Sequence, residues 1–139
     1  MPGSTDPVGT RPRVLIVDDE AQNLSTFQRV WRKHYQIETA ASGPAGLAKL
    51  AEHEFDVVLT DFGMPGMNGS TFVRAARRTH AVAFVMITGY VDKDEVRELE
   101  ETGELFSVVG KPWDKQSIAD VIARASEYTQ AMRARTAVR

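Results

Sequence analysis

The chain has 139 residues, a formal net charge of −2 and no cysteine. That length suits one compact domain with a real core, and the near-neutral balance offers no basic field for nucleic acid or a membrane surface. Without cysteine there are no disulfides, no thiolate metal sites and no cysteine nucleophile.

Residues 1–12, MPGSTDPVGTRP, lack the apolar core of a signal peptide and read as a disordered lead-in. A cytoplasmic location is the default expectation. The run VLIV (14–17) is short and β-branched, as a strand buried on both faces would be. Leu24, Phe27 and Trp31 recur at steps of three and four, which predicts a helix over 20–34 with one apolar face. QIETA (36–40) is more mixed and suits an edge strand. Leu47 and Leu50, with three alanines, predict a short helix over 44–53. VVL (57–59) reads as a second buried strand, and Phe72, Val73 and Ala76 mark a helix within 69–79. VAFVMI (82–87) reads as a third buried strand. DKDEVRELEETG (92–103) predicts a helix with Asp92 as N-cap and Gly103 as C-cap, and only Val96 and Leu99 are strongly apolar in it. FSVV (106–109) reads as a fourth buried strand. Ile118, Val121, Ile122 and Ala125 predict the last helix. The apolar periodicity fades after about 128, so 129–139 read as a helix extension or a linker, beyond a single domain over 13–128. No apolar run approaches the length of a membrane span.

Strand and helix alternate five times, which predicts a parallel sheet with helices on both faces. The reactive residues all fall just past a strand's carboxyl end: Asp18 and Asp19 after the first, Asp61 after the third, Thr88 after the fourth, Lys111 after the fifth. Ligands bind at that edge of an open parallel sheet. Three carboxylates there repel by roughly 4 kcal/mol per pair at about 4 Å and an effective dielectric near 20. The Lys111 ammonium and one divalent cation would balance them. His34, His53 and His80 fall on helices or at a helix end. The donors left are all oxygen, which suits Mg²⁺, and no EF-hand loop is present.

LTDFGMPGMNG (59–69) contains the Asp-Phe-Gly triplet that holds magnesium in protein kinases. The chain has no GxGxxG loop, no HRD loop and no APE segment, so a kinase is excluded. A P-loop enzyme is excluded by the missing GxxxxGK[ST]. A carboxylate can itself be the nucleophile and form an acyl phosphate, and phosphoryl transfer chiefly needs positioning and charge neutralisation. Asp61 as acceptor, a metal on Asp18 and Asp19, the Lys111 ammonium and the Thr88 hydroxyl supply those parts. Gly66 and Gly69 fit a loop entering the next helix, and Met64 and Met67 suit packing. A phosphatase of the aspartate-nucleophile type usually needs an acid two residues after the nucleophile, where this chain has Gly63.

VLIVDDE, LTDFGMPGMNG, MITG and GKPW, in this order and spacing, resemble the receiver domain of two-component response regulators over residues 13 to about 127. The resemblance implies a flavodoxin-like (βα)5 doubly wound parallel sheet of strand order 2-1-3-4-5. It implies Asp61 as phosphoacceptor and also a metal ligand, with Mg²⁺ held besides by Asp19 directly, by Asp18 mainly through water, and by the Gly63 backbone carbonyl. Thr88 would hydrogen-bond the phosphoryl group, Lys111 would pair with it, and the Lys111–Pro112 bond would be cis. Phosphorylation would shift the face made by the fourth helix, fifth strand and fifth helix. Such a domain catalyses its own phosphorylation and dephosphorylation and is not a turnover enzyme. The implied partners, in a bacterial setting, are a sensor histidine kinase or phosphotransfer protein, an output domain or partner protein, and a second copy in a homodimer. The alternative is a pseudo-receiver that binds partners without phosphorylation.

Family members usually carry Tyr or Phe three residues before the lysine, where this chain has Val108. Even spacing places Phe106 on the same strand face as Val108, one pleat earlier. The signal is then expected to travel mainly by shifts of the Thr88 loop and the fourth helix. Gly63 and Tyr90 stand where the family tunes phosphoryl lifetime. Trp113, where Phe is commoner, is expected to pack in the core. Receivers ending in Lys-Pro-Trp resemble some attached to transcriptional activators or cyclic-dinucleotide enzymes.

Overall fold

A computed structural model describes residues 8–138 of the chain. Its strands are β1 (Arg13–Val17), β2 (Gln36–Ala40), β3 (Val57–Thr60), β4 (Ala83–Thr88) and β5 (Ser107–Gly110). Its helices are α1 (Ala21–Trp31), α2 (Gly43–Glu52), α3 (Gly69–Arg77), α4 (Asp94–Glu101) and α5 (Lys115–Val138). All strand pairs are parallel and the order is β2-β1-β3-β4-β5, the flavodoxin-like arrangement expected.

Alternation along the interior strands divides the core. Leu15, Val17, Val58, Phe84 and Met86 face α2, α3 and α4, against Leu50, Phe72, Val73, Ala76, Val96 and Leu99. Val14, Ile16, Val57, Leu59, Val85 and Ile87 face α1 and α5, against Leu24, Phe27, Trp31, Ile118, Val121, Ile122 and Ala125. Each Val, Leu, Ile, Phe or Met side chain among these, fully buried, contributes about 1.5–3 kcal/mol. β3 and β4 are buried along their whole length, as their continuous apolar runs require. The expectation fails for FSVV. β5 is the outer strand beside β4, so its residues are half-buried and Gly110 is exposed.

Several boundaries move. α1 stops at Trp31 because the amides of His34 and Tyr35 both donate to the Trp31 carbonyl, at 2.8 and 3.1 Å, closing a turn into β2. Asp92 is not the N-cap of α4. Lys93 holds that position without a side-chain cap, its amide bonded to the Tyr90 carbonyl at 3.1 Å, and Asp92 lies in the preceding turn. Asp94 and Glu95 place negative charge in the first turn instead. Gly103, at φ +79°, ends the helix in the left-handed conformation that a C-terminal glycine permits.

Of the lead-in, residues 1–7 lie outside the described residues. Val8–Thr10 form a 3-10 turn, and the carbonyls of Arg11 and Pro12 accept from the Gln36 side chain and amide at 2.8 and 2.9 Å. At the other end the helix continues past 128. Asp114 starts α5, its carboxylate accepting from the Ser117 amide at 2.8 Å, and bonds from Ser117 hold this carboxyl below its ordinary range. Beyond Ala125 the docking becomes polar: Thr129 Oγ1 accepts from the Ala83 amide at 2.9 Å, and Arg133 donates to the Phe55 carbonyl at 2.7 Å.

Thr129 is fully buried, so Thr129→Val keeps the volume but strands the Ala83 N–H. The expected cost is about 1–3 kcal/mol, read as a lower urea midpoint at unchanged slope. Thr129→Ser should retain most of it. Among the described residues, no helix is long and apolar enough to cross a membrane.

Candidate functional site at the carboxyl edge of the sheet

The strand order reverses between β1 and β3, and the strongest charges stand at that switch point. The Asp18 amide bonds the Ala40 carbonyl at 3.0 Å and the Asp61 amide bonds the Val17 carbonyl at 3.1 Å, so backbone ladders fix both aspartates. Asp18 is only 4% exposed. Its Oδ1 accepts from the Glu20 amide at 2.9 Å and its Oδ2 from Asn23 Nδ2 at 3.1 Å. Asp61 Oδ1 accepts from the Phe62 amide at 2.7 Å.

Lys111 joins the two carboxylates. Its Nζ donates to Asp61 Oδ2 at 2.9 Å and lies 3.5 Å from Asp18 Oδ2. Partial burial, the largest single influence, works to lower the lysine's pKa. The hydrogen bond and charge of Asp61, with the charge of Asp18, together outweigh it and raise the pKa above the ordinary value. The Lys111–Pro112 peptide is cis, as expected. Thr88 ends β4, fully buried, and pairs in register with Gly110. Its carbonyl accepts from the Lys111 amide at 3.0 Å. Its hydroxyl accepts from the Tyr90 amide at 3.1 Å and so keeps its own proton to donate.

The loop after Asp61 is built by close approach. A side chain on Gly69 would strike the Asp61 carbonyl oxygen, and the Gly69 amide donates to the Phe62 carbonyl at 2.7 Å. Gly66, at φ +80°, supplies the turn, and Asn68 caps α3 by accepting from the Thr71 amide at 2.9 Å. Met64 is buried in the core and Met67 packs on its margin, as expected. Gly63 is exposed, and a Cβ there would lie 3.2 Å from the Tyr90 ring. That ring meets Phe62 edge-on at 5.8 Å, so Tyr90 stretches across the loop.

Asp19 is exposed, while Asp18 and Asp61 share Lys111. One expectation changes. Phe106 and Val108 do not share a face. Val108 packs with the α2–α4 side of the core, whereas Phe106 packs with the α1–α5 side, its ring 5.3 Å from Tyr128. The regular strand begins only at Ser107, so pleat parity does not extend back to Phe106.

Sequence reasoning missed the rest of the cleft. Asp18, Asp61 and Lys111 share a hollow of about 560 Å³ with Glu20, Asn23, Phe27 and Trp113. Trp113 packs as expected, 6.1 Å from Phe27 and 6.4 Å from Trp31, but it also forms a wall of this hollow. Asn23, three residues after Glu20 in the first turn of α1, was the signal that could have been followed.

The donor set is chemically suited to a hard divalent cation: it is all oxygen, and two carboxylates share one ammonium and so remain net negative. Among the described residues, no three acidic or imidazole side chains converge closely enough to hold an ion as placed.

A doubly wound parallel sheet with an aspartate pair bridged by lysine at its switch point defines a receiver-type signalling domain. The chain matches the response regulator receiver domain family over residues 14–123, and it belongs to that family. It is 27% identical to the hydrogenase transcriptional regulatory protein HoxA of Cupriavidus necator, over 82% of this chain and 24% of that one. It is 28% identical to the sensor kinase CckA of Brucella abortus, over 89% of this chain and 13% of that one. The chain therefore spans at most about a quarter of these relatives. The crystal structure of a response regulator receiver domain protein from Clostridium thermocellum superposes with a TM-score of 0.79 at 26% identity, covering 87% of this chain and 98% of that one.

Proposed function

We propose that the chain accepts a phosphoryl group on Asp61 from a phosphohistidine of a sensor kinase or phosphotransfer protein. The observation that carries this is the Asp61 carboxylate, fixed by the Phe62 amide and bonded to Lys111 at 2.9 Å, beside the buried Asp18. A carboxylate oxygen of Asp61 forms the new P–O bond while the donor's P–N bond breaks and its imidazole leaves. Lys111 neutralises charge on the phosphoryl oxygens, and the Thr88 hydroxyl has a proton to give them. Asp18 and Asp19, with the Gly63 carbonyl, would hold Mg²⁺, which supplies charge neutralisation for the transferring group.

The new charge then draws Thr88 and the Lys111 ammonium toward the phosphoryl group, shifting the population of states of the face formed by α4, β5 and α5. With valine at 108, the shift runs through the Thr88–Tyr90 loop and α4 rather than through a rotating aromatic. Hydrolysis of the acyl phosphate by water restores Asp61. The output domain or partner reads that face, in a cytoplasmic setting.

Incubation with Mg²⁺ and acetyl phosphate, followed by intact mass measurement, tests the reading. The wild type should carry one phosphoryl adduct and Asp61→Asn none. No adduct on the wild type, or an undiminished one on the variant, would leave the phosphorylation-independent pseudo-receiver as the better account.

A further inference from the structure

Asn23 stands in the first turn of α1, and its side chain does not serve the helix. Its Nδ2 group donates one proton to Asp18 Oδ2 at 3.1 Å and the other to Glu20 Oε1 at 3.0 Å. Glu20 occupies the N-cap of α1 yet makes no side-chain cap bond, so the amide of Asn23 takes its carboxylate instead. All three residues line the hollow with Asp61 and Lys111. A neutral amide bridging two carboxylates offsets their repulsion without cancelling their charge. It thereby ties both anions to the same hollow. A lysine there would offset one of those charges, and an alanine would leave the exposed Glu20 carboxylate without this bond.

We propose that Asn23 is a positioning residue for the divalent cation: it fixes the Asp18 carboxylate and draws Glu20 in as an acidic group at the rim of the site. This rests on the Mg²⁺ reading above. Mg²⁺ keeps several of its waters, so a carboxylate at the rim serves it by accepting hydrogen bonds from them.

Calorimetric titration of the full chain with MgCl₂ alone, without any phosphodonor, tests the proposal. Asn23→Ala should weaken Mg²⁺ affinity about tenfold, the low end for loss of an outer-shell partner. Glu20→Gln should also weaken it. In the Glu20→Gln background, the added loss from Asn23→Ala should be clearly smaller than in the wild type, because the negative charge that Asn23 draws to the rim is already gone. A purely structural asparagine would cost the same in both backgrounds, so equal losses overturn the proposal. Unchanged affinity in Asn23→Ala also overturns it. Urea midpoints in EDTA identify a variant that has merely lost its fold, and Asn23→Ser then serves as the milder substitution under the same criteria. A wild type that binds no Mg²⁺ refutes the metal reading itself, a distinct result from equal binding by wild type and variant.

Discussion

Gly69→Ala is expected to destabilise the chain by more than about 3 kcal/mol, enough to lose much of the folded population of a domain with ordinary stability. The expectation reverses the usual sign, because alanine inside a helix normally gains about 1 kcal/mol over glycine. Gly69 is the first residue of α3, and its Cα faces the Asp61 backbone, so a methyl group would collide with the Asp61 carbonyl oxygen and crowd the Phe62 Cα at 2.9 Å. Neither atom can swing aside, since the Asp61 amide is tied to β1 and the Phe62 carbonyl to the Gly69 amide. Gly43 provides the comparison. There a Cβ would meet the Met67 side chain, a flexible thioether on the margin of the core that can move away. Urea unfolding followed by circular dichroism should show a large loss for Gly69→Ala and a small one for Gly43→Ala. Comparable losses would mean the approach of α3 to the Asp61 loop is not tight.

Lys111→Gln is expected to slow adduct formation from acetyl phosphate about 100-fold, the scale for removing one charge-stabilising donor from a transferring group. Mg²⁺ binding should survive or tighten. The ammonium sits 2.9 Å from Asp61 Oδ2 and 3.5 Å from Asp18 Oδ2, so it competes with any other cation for the same oxygens. Calorimetry and intact mass, on one preparation, separate the two effects. Loss of Mg²⁺ binding together with phosphorylation would show that Lys111 holds the carboxylates in place rather than neutralising the phosphoryl group.

What the sequence disclosed follows from which interactions leave a pattern. Interior strands buried on two faces have to be continuously apolar, and VLIV, VVL and VAFVMI read correctly for that reason. FSVV looks the same in letters, but a strand with one neighbour exposes part of such a run. Parity counted from Val108 failed at Phe106 because the pleat had not yet begun. The tail of α5 gave no apolar period because Thr129 and Arg133 hold it with hydrogen bonds to Ala83 and Phe55.

At the site, the edge rule for parallel sheets brought Asp18, Asp61, Thr88 and Lys111 to the carboxyl end from spacing alone. It could not say which member of the acidic pair faces inward. Adjacent residues leaving a strand point to opposite sides, and backbone pairing with Ala40 selects Asp18 as the buried one. The Asn23–Glu20 contact was hidden because an acidic helix start is ordinarily explained by the dipole.

The chain has two tryptophans, and their rings meet between α1 and the β5–α5 turn. Trp31 is 3% exposed beneath α1, Trp113 lines the hollow beside Asp61, and their rings are 6.4 Å apart. At that spacing the two indoles form one optical unit, whose near-ultraviolet dichroism and emission depend on their mutual angle. The protein's intrinsic indole signal is therefore a local gauge of the wall between α1 and the β5–α5 turn. The far edge, where Thr129 meets Ala83, contributes no indole to it.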